Sequence, residues 1–199
     1  KEGSTTVADH LSQLAGLDAE IEVSKINFLD LEDVKTHIGP QKQVGIFVEL
    51  VDPPHGYVLF LMDPEDSKQL VGKMVGGMGD EEPADGLFTE MERSAMQEIG
   101  NIMTSGYIDG WANVLDTTID ISTPSFIYGP ASNIVDEMGG WPDDEIVFVV
   151  DSDIVAAETD VELTAYTFPR LEELVALIKE IGLDTDVEAD TTASSDIVD

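Results

Sequence analysis

The chain has 199 residues, with 42 acidic side chains against 9 basic ones, a formal net charge of -33, and no cysteine. Its 42% hydrophobic content is ordinary for a folded protein, and its length suits one domain with a real core or two small fused halves. The charge excludes a nucleic-acid partner, which needs a basic patch, and the missing cysteine excludes a disulfide framework and thiolate chemistry.

Four origins of the acidity compete: disorder, cation binding, mimicry of nucleic acid, and a salt-rich cytoplasm. Long periodic apolar segments argue against disorder. No Asp-x-Asp-x-Asp-Gly loop ending in Glu is present, so calcium loops are not the reason. Acidic residues are scattered over every segment, and molar salt screens their mutual repulsion, so a salt-rich cytoplasm fits best. No apolar run reaches the roughly 18 to 20 residues of a membrane span, and a cytoplasmic location is expected. The first residue is Lys1, in mid-pattern, so further residues are expected ahead of it.

Residues 1–15 read as the end of a helix, with Val7, Leu11 and Leu14 on one face and Gly16 as its stop. Residues 20–28 read as a strand whose alternation changes phase between Val23 and Ile26, which suggests a bulge. A short helix over 31–38 is closed by Gly39. Strands follow at 44–51 and 57–62, joined by the turn Asp52-Pro53-Pro54-His55-Gly56. Pro64 opens a helix that buries Leu70, Val71, Met74 and Val75.

Residues 76–86, rich in glycine and acid, read as a linker. The long helix over 88–116 begins with a capping box, Thr89 and Glu92. Leu87, Met91, Ala95, Ile99 and Ile102 recur at helical spacing and are predicted to face the core. Ser94, Glu98 and Asn101 lie beside that stripe, within roughly 60° of one another. A strand is predicted over 117–122, leading to Pro124. Then come residues 126–128, a short helix over 132–138 ended by Gly139 and Gly140, and strands at 145–150 and 161–167. Pro169 is predicted to open a last helix, with Leu171, Leu174, Val175 and Ile178 inward and Gly182 at its end. Residues 184–199 are acidic and predicted to be disordered.

The order of elements occurs twice. Shifted by 100 positions, Leu11 falls on Trp111, Ile21 on Ile121, Ile26 on Phe126, Val34 on Ile134 and Gly39 on Gly139. A repeat of this size and number points to a fused pseudo-dimer rather than a solenoid.

Ser94, three residues, Glu98, two residues, Asn101, then twenty-two residues and Pro124, with the text Gln97-Glu98-Ile99-Gly100-Asn101-Ile102 around it, resembles the motif of the CheC family of chemotaxis phosphatases. The resemblance covers residues 1–183. It implies an α+β fold of two helix–strand–strand–strand–helix repeats, 1–75 and 87–183. Their sheet, mixed or antiparallel, has a pseudo-twofold axis and is covered by helices. It implies hydrolysis of the aspartyl phosphate on a response regulator of the CheY type. In that reading Glu98 and Asn101 are the catalytic pair: Asn101 orients the attacking water, Glu98 accepts from a lysine of the partner, Ser94 extends the contact, and Pro124 shapes the strand end beside the helix. Mg²⁺ would arrive with the receiver domain, and this chain supplies no metal ligands. In the first repeat Lys1 stands at the Asn position and Ser24 at the Pro position, so one site is expected rather than two.

Spacing alone does not carry this, since Glu and Asn at (i, i+3) ordinarily mark a solvated helix face. The same fold also serves as the CheY-binding middle domain of flagellar switch proteins, and the family includes adaptors for the deamidase CheD. A binding module is therefore the rival reading. His10, His37 and His55 lack metal-ligand spacing and read as surface or satisfied side chains. Gly76-Gly77 and Gly100 to Gly110 lack a following Gly-Lys-Ser/Thr, so a nucleotide loop is not indicated. Met74, Met78, Met91, Met96 and Met103 read as core fillers, and Trp111 as either a core or a contact residue.

Overall fold

The structure, a computed structural model, describes residues 19–75, 87–139, 147–156 and 161–181. The helix predicted over 1–15, the linker and the acidic tail lie outside the described residues. The elements are β1 (Ala19–Leu29), α1 (Leu31–Ile38), β2 (Lys42–Leu50), β3 (Gly56–Met62), α2 (Pro64–Val75), α3 (Glu90–Val114), β4 (Ser125–Pro130), α4 (Ala131–Met138), β5 (Val147–Ala156), β6 (Val161–Pro169) and α5 (Leu171–Glu180).

One six-stranded sheet runs in the order β1-β5-β6-β3-β2-β4, with every pair antiparallel. The order reads symmetrically outward from the central β6–β3 pair. Each hairpin, β2–β3 and β5–β6, receives as its outer neighbour the first strand of the opposite repeat: β4 lies on β2, and β1 on β5. This is the pseudo-twofold plan that the resemblance implies. α1 and α4 start 100 positions apart, and the glycines that follow them, Gly39 and Gly139, both have positive φ, 87° and 66°. Only glycine takes such an angle without steric cost.

Strand alternation sends two sets of side chains to two faces. On one face Val44, Ile46, Val48, Val58, Phe60, Leu163 and Ala165 pack under α2 and α3. On the other, Leu59, Leu61, Val147, Val149 and Phe168 pack under α1 and α4. Gly45 lets α4 approach β2, because a Cβ there would stand 2.9 Å from Ile134 Cδ1. Each fully buried aliphatic side chain in these layers contributes about 1.5–3 kcal/mol.

The bulge expected in β1 is present, as a register shift between Val23 and Lys25. Three local predictions need correction. Residues 117–122 form no strand. They run beside the end of β2, held by the bridge Leu50–Ile121 and by bonds from Val51 N–H to Asp120 O and from Ser122 N–H to Glu49 O. The strand follows Pro124, whose nitrogen has no hydrogen for a ladder. Pro169 ends β6, paired with Gly56, rather than opening α5, and Leu171 is 36% exposed while Leu174 is buried. Of the row predicted to face the core, Ile99 is buried and Leu87 and Ala95 pack partly against the core, but Met91 is half exposed, and the fully buried row is Phe88, just ahead of α3, with Met96, Ile99, Met103 and Tyr107.

Candidate functional site

The long helix is fixed at both ends by local chemistry. Thr89 Oγ1 accepts from Glu92 N–H at 3.2 Å, and Glu92 Oε2 accepts from Thr89 N–H at 2.8 Å, completing the predicted capping box. Lys68 of α2 donates to the same Glu92 oxygen at 2.7 Å and lies over the Phe88 ring. Desolvation raises the Glu92 carboxyl, but the bonds from Lys68 and Thr89 together outweigh it and hold it below the usual carboxylate range. At the far end, Thr117 N–H bonds back to Ala112 O while Asp116 takes the left-handed conformation, φ 50°, that ends a helix.

Between these anchors the inner face of α3 is tied to the sheet. The Tyr107 hydroxyl and Thr167 Oγ1 are 2.6 Å apart in the core, and Tyr107 packs edge-on against Phe60. Trp111 is half-buried against the core beside Tyr107, which decides its role in favour of packing. Arg93 lies over the Phe126 ring, and that ring meets Phe88 at 5.3 Å, so β4 and α3 are locked together at their open ends.

The structure places Ser94, Glu98 and Asn101 on the outer face of α3, all exposed. Ser94 Oγ donates to Glu90 O of its own helix, at 3.0 Å. Pro124 is buried, beneath the helix rather than beside the open carboxylate and amide. What joins it to them is Gly100, which sequence reasoning quoted within the motif without giving it a role. A Cβ at Gly100 would stand 2.7 Å from Ile46 Cγ2 and 3.7 Å from Pro124 Cβ. The helix is therefore in close contact with the sheet in the turn between Glu98 and Asn101. The signal was available, since an isolated glycine inside a helical pattern marks a close backbone approach.

The assembled face is a carboxylate acceptor and a carboxamide, one turn apart, on a helix pressed against a rigid sheet. A carboxamide accepts from water and offers two donors, while a carboxylate only accepts. Among the described residues, no three His, Asp or Glu side chains come together to hold a metal ion. The histidines satisfy carboxylates instead: His37 Nε2 lies 2.6 Å from Asp151 Oδ2, and His55 Nδ1 lies 2.8 Å from Glu173 Oε2, while His10 is outside the described residues. Among the described residues no helix is long and apolar enough to cross a membrane.

This fold recurs in several solved structures. FliY from Thermotoga maritima superposes with a TM-score of 0.68 at 22% identity, covering 89% of this chain and 88% of that one. The FliM middle domain of H. pylori gives 0.61 at 12% identity over 89% and 91%, and the chemotaxis protein CheX from Desulfovibrio desulfuricans gives 0.60 at 14% over 85% and 97%. At such identities the likeness shows the fold alone. The sequence goes further. The model of the CheC-like family matches residues 91–128, which hold the Ser94, Glu98, Asn101 and Pro124 set. The protein named "Putative CheY-P phosphatase CheC1" of Halobacterium salinarum is 44% identical over 181 residues, 91% of each chain. The chain belongs to the CheC-like family.

Proposed function

We propose that this protein hydrolyses the aspartyl phosphate of a CheY-type response regulator in chemotaxis signalling, in the cytoplasm of a salt-loving microbe. The observation that carries the proposal is the open placement of Glu98 and Asn101, one turn apart on α3 over the Gly100–Pro124 contact. The name of the Halobacterium salinarum relative supports the substrate and the salt-rich setting.

Phosphoryl transfer through a loose, in-line transition state asks for positioning more than covalent chemistry. Asn101 holds the attacking water through its amide oxygen and steadies an equatorial phosphoryl oxygen through its amide N–H. Glu98 accepts from a lysine of the regulator and sets the approach. Ser94 extends that contact toward the helix N-terminus. Pro124 acts from beneath, holding the helix turn in place. The Mg²⁺ of the reaction belongs to the receiver domain. The catalytic pair is thus Glu98 and Asn101, with Glu98 also binding the partner and orienting it.

The test is phosphate release from a receiver domain charged with acetyl phosphate, with and without this protein, at molar salt. Acceleration that Asn101→Ala removes supports the proposal. Binding with no acceleration would replace it with a docking role, the reading that the FliM-like fold alone would suggest.

A further inference from the structure

The long helix carries two apolar rows, and only one is fully buried by the core. Phe88, Met96, Ile99, Met103 and Tyr107 are buried against the sheet. On the outer side Met91 is 51% exposed and Ile102 is half-buried, while Ala95, also half-buried, packs partly against the core. At about 100° per residue, Met91, Ala95 and Ile102 fall within roughly 40° of one another and within roughly 60° of Glu98. Met91 is two turns from Glu98, about 10.5 Å along the axis. Among the described residues the other exposed large hydrophobics, Phe28, Val51 and Leu171, stand on other elements: β1, just past β2 and α5. Single exposed apolar residues need no explanation, but a row that continues into a reactive face does.

We propose that Met91, Ala95 and Ile102 form the apolar half of the docking surface for the phosphorylated receiver domain, with Met91 setting the affinity. This rests on the phosphatase reading above. A receiver that brings its phosphate to Asn101 and a lysine to Glu98 must lie along this side of α3. A standard interface of about 800 Å² per partner extends well past 10 Å from its centre, so it reaches Met91. The charge balance favours the same division of labour. In molar salt the Debye length falls to about 3 Å, so the Glu98 ion pair loses most of its long-range pull. Apolar contact is not screened, and excluded salts strengthen it. A chain of net charge -33 that binds a protein in brine therefore needs an apolar anchor beside its acidic contact.

Met91→Gln tests the proposal without touching the core. In single-turnover dephosphorylation of a receiver charged with acetyl phosphate, the half-saturating receiver concentration should rise about five- to tenfold, as expected for half a methionine left in water. The rate at saturation and the thermal midpoint should stay unchanged, and Met91→Leu should behave as the native protein. The Met91→Gln defect should persist or grow at molar salt, whereas that of Glu98→Ala should shrink. A half-saturation value within twofold of native, in an assay where Asn101→Ala abolishes turnover, would overturn the docking row and leave the phosphatase reading intact. A native protein that neither binds nor dephosphorylates the receiver would overturn the reading on which the row depends. A lowered thermal midpoint with unchanged half-saturation would assign the row to contacts within this chain, also against the proposal.

Discussion

Gly100→Ala places one methyl group at a tight contact between the long helix and the sheet. In an open helix the change would stabilise by about 1 kcal/mol, because alanine is the better helix former. Here the new Cβ would stand 2.7 Å from Ile46 Cγ2, and ordinary contact begins near 3.4 Å. Ile46 is 1% exposed and its Cγ2 is fixed at a branched carbon in the middle of β2, so it cannot swing aside. Overpacking of this kind costs about 1–3 kcal/mol. The net expectation is a loss of about 1 kcal/mol, read as a lower urea midpoint at an unchanged slope. Relief would come partly from α3 moving off the sheet between Glu98 and Asn101, and a displacement of a few tenths of an ångström there should lower the maximal dephosphorylation rate about tenfold. In an Ile46→Ala background the obstructing methyl is gone, and Gly100→Ala should become stabilising. A gain of about 1 kcal/mol in the native background would refute the close approach and, with it, the role given to Pro124 beneath the site.

Asn101→Ala should lower the single-turnover maximum at least a hundredfold with little change in half-saturation, and Glu98→Ala should chiefly raise half-saturation, since one contact belongs to the transition state and the other to docking. Both side chains are exposed, so neither change should shift stability by more than about 0.5 kcal/mol in thermal or urea unfolding. Thermal midpoints of the native protein should rise from low to molar salt as the net charge of -33 is screened, and a level or falling series would contradict the halophilic reading. Glu92→Gln should cost about 0.5–1 kcal/mol at pH 7. The Glu92 carboxyl is held below its ordinary range in the folded state, so its contribution is complete above the usual glutamate pKa, near 4.3, and is lost as pH falls through the lowered value. Urea midpoints of native and variant should therefore converge in acid, and a gap that persists below pH 3 would count against the Lys68–Glu92–Thr89 cluster.

Much of the fold was legible because the relevant signals are local. The capping box at Thr89 and Glu92, the closing glycines 39 and 139, and the bulge in β1 depend on a few neighbouring residues, and all were placed correctly. The errors arose where distant partners decide. Alternation in residues 117–122 is as good as in 125–130, and only the run of hydrogen bonds with β2 tells them apart. The row through Met91 and the row through Met96 both have helical period, and the sheet beneath α3 buries the second fully and the first only in part. The exposed face with Ser94, Glu98 and Asn101 was legible from its spacing, while the reason the helix is held so close there needed Ile46, more than fifty residues earlier in the chain.

The exchange of outer strands also sets when this protein can finish folding. The β2–β3 hairpin is local and can close early, but its neighbours β4 and β6 come late in the chain, and β1 must wait for β5, with Ala19 paired to Ala156. Loop closures of that length make folding slow, and each unfilled edge is a template for the wrong strand until its partner arrives. On the ribosome, the repeat without the motif waits with both hairpin edges open until the motif-bearing repeat has emerged. The first repeat cannot then be pruned away: its β1 covers the outer edge of β5, so a chain that lost it would keep the chemical face and lose the sheet on which that face is built.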